Sequence, residues 1–339
     1  MKFDYKWYLK DGYPAPEVEA HNLTVFGTFI CGGGSSMGYK LAGYHHLGGV
    51  EIDPKVAEIY KTNHNPEYLF VEDIRDFRKR KDLPKELYSL DLLDGSPPCS
   101  TFSMAGSREK SWGKKKKFRE GQKEQVLDDL FFEYIKLAER LKPKVVLAEN
   151  VKGLIAGNAK KYVKEIKSEF EKIGYKVQLF LLNAATMGVP QRRERVFFIC
   201  QREDLEFKKL EMRFDEKPVI FSEVIKNVTP EDKYISHSEK YSKYWNEAKE
   251  GEAVGLFNAS CRRIKRNQVC NTVAAQGGYN HFHPEKCRQL SKDEVSMVGS
   301  FPLDYNFKMN PWHYLIGMSV PPVMTAQIAY QIYLQWLKK

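Results

Sequence analysis

Apolar and polar positions alternate along this chain in two periods, and the switches between them lay out its elements. Residues 23–30 form a β-rich run that ends in Cys31-Gly32-Gly33-Gly34-Ser35-Ser36, and residues 37–42 then read as the start of a helix. A second strand is predicted over 47–52, a helix over 54–63 and a third strand over 68–71. Residues 90–94 are a short apolar run closed by Gly95, as suits a buried strand of a parallel sheet. Over 124–141, Val126, Leu130, Tyr134, Ile135, Ala138 and Leu141 share one helical face. Residues 145–148 make another buried strand, and the helix over 159–173 buries Val163, Ile166, Phe170 and Ile173 before stopping at Gly174. Residues 175–182 and 195–201 read as closing strands, and 321–337 as a terminal helix. Strands alternating with helices predict an α/β fold.

Composition narrows the class of protein. With 339 residues and 42% hydrophobic content the chain can bury one large core and carry a smaller second lobe. Its longest apolar runs, such as 196–200, are far short of a membrane span, and the acid-bearing first 22 residues do not read as a secretory signal, so a soluble, cytoplasmic protein is expected. Six unevenly spaced cysteines suit free thiols in a reducing compartment. Residues 108–123 carry a net charge of +6 and residues 262–266 a net +4, which together match the whole net charge of +10. Most charge runs are solvated faces, but two clusters flanking a candidate nucleophile favour a polyanionic partner.

That nucleophile is Cys99. Pro97-Pro98 forces an extended exit from the preceding strand and delivers the thiol just beyond its carboxyl end, where α/β folds place chemistry. A free cysteine is more often a small buried hydrophobe. Here the prolines deny it a strand or helix to be buried in, and residues 100–103 open a long polar, lysine-rich loop. The glycine-rich turn after the first strand lets backbone approach a ligand. Glu51 stands where a carboxylate can hold ribose hydroxyls, and Asp73 lies beyond the third strand, so an adenosine-containing cofactor fits. Glu149 ends a buried strand, where alone it reads as a solvated terminus. Arg193 and Arg195 alternate into a strand and are expected on one face, in need of acceptors. Cys270, His281, His283 and Cys287 match no usual zinc spacing, so no metal is expected.

Five segments in this order resemble the DNA (cytosine-5)-methyltransferases: Phe29-Ile30-Cys31-Gly32-Gly33-Gly34, Gly95-Ser96-Pro97-Pro98-Cys99, Glu149-Asn150-Val151, Gln191-Arg192-Arg193-Glu194-Arg195 and Gly317-Met318-Ser319-Val320-Pro321-Pro322. The resemblance runs from Thr24 to about Leu337, leaving out residues 1–22 and about 202–261. It implies a Rossmann-like S-adenosylmethionine-dependent methyltransferase domain over 23–202, a smaller target-recognition lobe over 203–310, and a C-terminal helix over 311–339 that returns to the first domain. It further implies Cys99 as the nucleophile that adds to carbon 6 of cytosine, Glu149 as the acid at ring nitrogen 3, Arg195 on the base oxygen and Arg193 ordering the site. Cofactor contacts are implied for Phe29, Cys31, Gly32, Gly33, Gly34, Glu51, Ile52, Asp73, Ile74, Pro98, Ser319 and Val320. Contacts to double-stranded DNA are implied for Ser103, Lys114, Lys115, Lys116 and Lys117 of a closing lid, and the second basic cluster offers Arg262, Arg263 and Arg266.

Two positions depart from the family pattern. Cys31 replaces the first glycine of the turn and Met318 the usual asparagine of the last motif, and neither touches the catalytic residues. The chain thus reads as a monomeric enzyme that methylates carbon 5 of a flipped-out cytosine in a specific DNA sequence, with a cognate restriction endonuclease as a possible functional partner. Three other readings stand beside it: a transfer-RNA cytosine methyltransferase, a non-catalytic DNA-binding regulator of the same fold, and, from the glycine turn alone, a nicotinamide oxidoreductase. The first keeps every motif. The second has no use for an intact Cys99 and Glu149, and the third none for Pro-Pro-Cys.

Overall fold

A computed structural model of the protein describes residues 2–98, 129–156, 159–226, 239–255, 261–275, 281–308 and 312–338. Its first domain is built from β1 (Thr24–Thr28), α1 (Gly34–Leu41), β2 (His45–Val50), α2 (Pro54–His64), β3 (Tyr68–Phe70), α3 (Ile74–Phe77), β4 (Leu92–Gly95), α4 (Leu130–Leu141), β5 (Val145–Val151), α5 (Lys160–Lys172) and β6 (Tyr175–Asn183). The short β7 (Gln191–Arg192) leads into β8 (Glu194–Arg202). Beyond it come α6 (Phe221–Ile225), α7 (Glu239–Glu247), β9 (Arg262–Arg263), β10 (Cys270–Asn271), β11 (His281–Phe282), α8 (Lys292–Val298), α9 (Trp312–Met318) and α10 (Pro322–Ile332).

Seven strands form one sheet in the order β3-β2-β1-β4-β5-β8-β6. The five strands from β3 to β5 run parallel, and β8 is inserted antiparallel between β5 and β6. The sheet is covered on both faces, so its central strands must be apolar on both. In β8, Val196, Phe198 and Cys200 enter the core under α4 and α5, while Phe197 and Ile199 enter the core under α1 and α10. The terminal helix returns to the first domain because α1 admits it. A Cβ at Gly38 would lie 2.4 Å from Thr325 Cβ and 2.5 Å from the Pro322 carbonyl, so only glycine allows these two helices to approach so closely.

The residues beyond β8 build a further core together with the first domain, in which Phe221, Val224, Ile264, Cys270, Val273, Met297 and Phe301 pack with Val56 and Ile59 of α2. The N-terminal segment, which the resemblance leaves out, ties this part of the chain to the sheet. The Trp7 indole donates to the Ser300 carbonyl at 2.9 Å, and the amides of Leu9 and Lys10 donate to the Asp304 carboxylate. Phe3 meanwhile is buried in the core under α10. Among the described residues no helix is long and apolar enough to cross a membrane.

Candidate functional site

Strand order reverses direction between β1 and β4, so the loops leaving their carboxyl ends diverge and open a crevice. The ends of the five parallel strands β1 to β5 border it. After β1 the chain turns tightly through Phe29 (φ 55°), Cys31 (φ 46°) and Gly33 (φ 71°), and α1 begins at Gly34. Gly33 is irreplaceable on two counts: its φ is left-handed, and a Cβ would fall 2.1 Å from Nε2 of the buried His64. Cys31, which stands in place of a glycine, is itself left-handed but within the region open to ordinary residues.

Glu51, at the end of β2, is clamped beneath this turn. The Cys31 amide donates to its Oε2 and the Asp53 amide to its Oε1, both at 2.9 Å. Burial raises its pKa against the opposing pull of these amides. The Ile52 amide also bonds this carboxylate, which leaves about one of its roughly four lone-pair sites for a further donor. Beside it the side chains of Ile52 and Val71 are 40% and 47% exposed at adjacent strand ends, an apolar edge suited to a flat ring. Asp73 caps α3, accepting from the Arg75 amide and guanidinium at 2.8 and 2.9 Å, and Ile74 is buried. Ser319 and Val320 are buried against the turn, with the Val320 carbonyl oxygen 2.2 Å from where a Gly34 Cβ would lie.

The ends of β4 and β5 carry the charged part of the site. The Asn150 amide donates to the Pro97 carbonyl at 3.1 Å, fixing the Pro-Pro exit against the Glu149 strand end. Arg195 Nε stands 2.9 Å from Glu149 Oε1, with both side chains largely buried, and Arg195 Nη1 donates to the Glu194 carbonyl. Burial lowers the Arg195 pKa while Glu149 opposes the shift. Pro98 is the last described residue before Cys99, and Cys99, Ser103 and Lys114 to Lys117 lie outside the described residues.

Arg193 and Arg195 of the motif lie close enough for their charges to interact, but they bond different partners. Arg193 lies in the break between β7 and β8 and is fully buried, with Nη1 donating to the Val273 carbonyl at 3.3 Å and Nη2 to the Gly317 carbonyl at 2.9 Å. Burial first, and the nearby Arg195 charge second, depress its pKa. Gln191 works with it, bonding the Val298 carbonyl and the Val273 amide. These two side chains therefore join the smaller lobe and the last motif to the sheet, and Arg195 alone of the three meets Glu149.

Of the second basic cluster, Arg263 lies 3.9 Å over the Trp245 ring and donates to the Pro284 and Ala248 carbonyls, while Arg266 pairs with Glu250 and Glu285. Internal acceptors thus occupy two guanidiniums expected to face a polyanion, and Arg262 is the exposed one, bonded to the Gly251 carbonyl. Cys270 is buried in the lobe core with its thiol pKa raised by burial, and burial lowers His281 and His283 to about 4. Among the described residues no three His, Cys, Asp or Glu side chains group as a metal site.

One site residue escapes a reading of the sequence. Asp94 of β4 is buried, accepts from the Tyr39 hydroxyl at 3.0 Å, and is raised to about 7, by burial first and by the charge of Glu149 in addition. The only signal for it is a carboxylate inside an otherwise apolar strand.

Residues 24–334 match the family model described as C-5 cytosine-specific DNA methylase. The Type II methyltransferase M.NgoMIV of Neisseria gonorrhoeae is 34% identical over 329 residues, covering 91% of this chain and 97% of that one. M.Sau96I of Staphylococcus aureus, also a Type II methyltransferase, is 31% identical over 352 residues, covering 94% of this chain and 77% of its own. In structure, the chain is similar to a putative DNA modification methyltransferase encoded within an E. coli prophage. The two share a TM-score of 0.74 at 20% identity, covering 94% of this chain and all of that one.

Proposed function

The chain belongs to the C-5 cytosine-specific DNA methylase family, and from that premise we propose how its residues methylate cytosine in DNA. The transfer-RNA and non-catalytic alternatives yield to the family match and to relatives named as Type II methyltransferases.

S-adenosylmethionine is the methyl donor, and the crevice fits it. Glu51 is held with acceptor capacity left for a ribose hydroxyl, Ile52 and Val71 offer an apolar edge to the adenine, and Asp73 and Ile74 border it. The turn from Phe29 through Cys31, Gly32 and Gly33 to Gly34 brings backbone close to the charged methionyl end, backed by Ser319 and Val320 and reached by Pro98. When bound, the donor supplies an electrophilic methyl on a sulfonium.

Carbon 5 of cytosine is a poor nucleophile. The Cys99 thiolate adds to carbon 6, and the ring electrons displaced towards nitrogen 3 are met by a proton from Glu149. Arg195 binds the base oxygen and steadies the Glu149 carboxylate, while Arg193 keeps the last motif seated. Once carbon 5 carries the methyl group, loss of its proton to solvent expels the thiolate and restores the aromatic ring. None of these groups can reach a base inside a duplex, so the cytosine is flipped out. Ser103 and Lys114 to Lys117 contact phosphates as their loop closes, joined by Arg262 from the smaller lobe. The enzyme acts as a monomer, and modification of one sequence would protect DNA from an endonuclease cutting the same site.

The observation that carries this reading is the Glu149–Arg195 pair next to Asn150, whose side-chain amide bonds the Pro97 carbonyl two residues before Cys99. The test uses a duplex with 5-fluorocytosine at the target, found by bisulfite sequencing of DNA from expressing cells. Fluorine cannot leave as a proton does, so a denaturant-resistant adduct should form on the peptide containing Cys99. An adduct on another cysteine, or normal methylation by Cys99→Ala, sinks the mechanism.

A further inference from the structure

The peptide unit between Gly32 and Gly33 is the pivot of the glycine turn, and both of its ends are bonded. Its amide, on Gly33, donates to the Ile30 carbonyl at 2.8 Å. Its carbonyl, on Gly32, accepts at 2.7 Å from the hydroxyl of Tyr305, which lies 273 residues further along the chain. Two glycines in succession leave the peptide between them free to flip, so bonds at its ends are what hold one orientation. Gly33 takes φ 71° as the residue that caps α1, so the same orientation sets where that helix starts.

Tyr305 is well placed to hold this carbonyl. It is 2% exposed, with its ring packed edge-on to Phe301 at 5.4 Å between centroids and tilted against Phe307 at 4.8 Å. A phenylalanine could make these ring contacts, but a buried phenol oxygen needs a polar partner, and the turn supplies one. Burial raises the phenol pKa well above its ordinary value, with the Cys31 thiol adding to the rise and the Asn63 side-chain bond opposing it. The hydroxyl therefore keeps the proton it donates. Its neighbours in the chain are tied down on both sides. The Leu9 and Lys10 amides bond the Asp304 carboxylate at 2.7 and 3.0 Å. Asn63 of α2 donates to the Asn306 carbonyl at 2.9 Å and accepts from the Asn306 amide at 2.8 Å. The buried His64 ring, edge-on to Tyr305 at 6.2 Å, fills the space that a Gly33 side chain would take.

We propose that Tyr305 is a positioning residue for the methyl donor: from beyond α8 its hydroxyl locks the Gly32–Gly33 peptide in the orientation that receives S-adenosylmethionine. The inference rests on the placement of the cofactor at this turn. Without the hydroxyl the peptide is held at one end, the turn populates further orientations, and the apparent affinity falls with the fraction that remains competent. Because Asp304 is bonded by the N-terminal segment and Asn306 by α2, three separate parts of the chain fix the residue that shapes the donor site.

Tyr305→Phe keeps the ring and removes the hydroxyl. Calorimetry with S-adenosylhomocysteine should show affinity reduced roughly three- to ten-fold, the scale of one neutral hydrogen bond. The KM for S-adenosylmethionine should rise by a similar factor, with a smaller change in kcat. Unchanged affinity in a folded Tyr305→Phe overturns the proposal, and so does a loss confined to kcat. A second measurement holds even if that variant does not fold. With 3-fluorotyrosine placed at position 305 of the otherwise unaltered chain, the fluorine resonance should shift when S-adenosylhomocysteine is added, and a resonance that stays in place overturns the proposal. Glu51→Ala separates the two ways of failing. Weakened binding there with none lost in Tyr305→Phe strikes Tyr305 alone, whereas full affinity in both removes the cofactor from this turn and the proposal with it.

Discussion

Arg195 Nε and Glu149 Oε1 stand 2.9 Å apart where the antiparallel β8 meets β5, with Val151 opposite Arg195 in register. The pair is set by the sheet itself, since an antiparallel insertion is what brings the start of β8 to the end of β5. Removing one member of a buried pair leaves the other uncompensated, at a cost of about 3–5 kcal/mol. Arg195→Ala should therefore lose stability of that order in urea unfolding. Arg195→Lys keeps the charge but not the planar fork, so it should fold normally and lose roughly 10- to 100-fold in kcat/KM, the value of about 1.5–3 kcal/mol for a hydrogen bond to a charged group. Wild-type turnover in the lysine variant would detach the guanidinium from the chemistry.

Glu51 serves two masters, the turn amides above it and the ribose proposed beside it. Glu51→Ala should weaken S-adenosylmethionine binding by roughly 1.5–3 kcal/mol. Because the same carboxylate holds the Cys31 and Asp53 amides, the variant should also unfold at lower urea. Glu51→Gln, which keeps one acceptor oxygen, separates the two losses. Calorimetry that finds unchanged affinity in both variants would take Glu51 out of the cofactor site.

The outline of the fold was legible because it follows local periodicity. Val196 to Cys200 alternate between two cores, and the helices over 54–63 and 159–173 appear within a residue of their expected ends. The motifs carrying the site were legible for a related reason: each sits at a strand end, where the chain stops being apolar. The smaller lobe was not, since β9, β10 and β11 are two residues each and two residues have no period. Nor could the sequence show that Trp7 reaches Ser300, or that Arg193 finds its acceptors in the Val273 and Gly317 carbonyls. Those contacts join segments far apart in the chain. Asp94 was hidden by its neighbours, which make its strand look uniformly apolar.

Cys31 sits at φ 46° in a turn where the family pattern has glycine. The left-handed conformation costs an ordinary residue about 1–2 kcal/mol, part of which glycine gives back through its more flexible unfolded chain. Cys31→Gly should thus be as stable as wild type or more so by up to about 1 kcal/mol, and the β-branched Cys31→Val should be the least stable of the three. The urea midpoints rank them, and a valine variant as stable as the glycine one would show that the turn has relaxed to another conformation.

Stability itself should carry the imprint of the buried groups. The Asp94 carboxyl is raised to about 7 in the folded chain, above the value of about 3.9 expected when unfolded, so the folded state binds the extra proton. Its contribution is therefore complete below about pH 4 and is lost as pH rises through 7, a total of order 4 kcal/mol. Glu51 acts in the same direction. His46 and His64 act oppositely. Both are buried with depressed pKa values, burial being the first cause for each, so they fold neutral and the unfolded chain gains protons below about pH 6.5. Acid thus destabilises through the histidines and alkali through the carboxyls, leaving a maximum between them. In Asp94→Asn the alkaline decline should shrink by a few kcal/mol while the acid decline remains. Urea unfolding of the two proteins at pH 5, 6.5 and 8 measures this directly, and parallel curves would mean that Asp94 is ionised in the folded protein throughout.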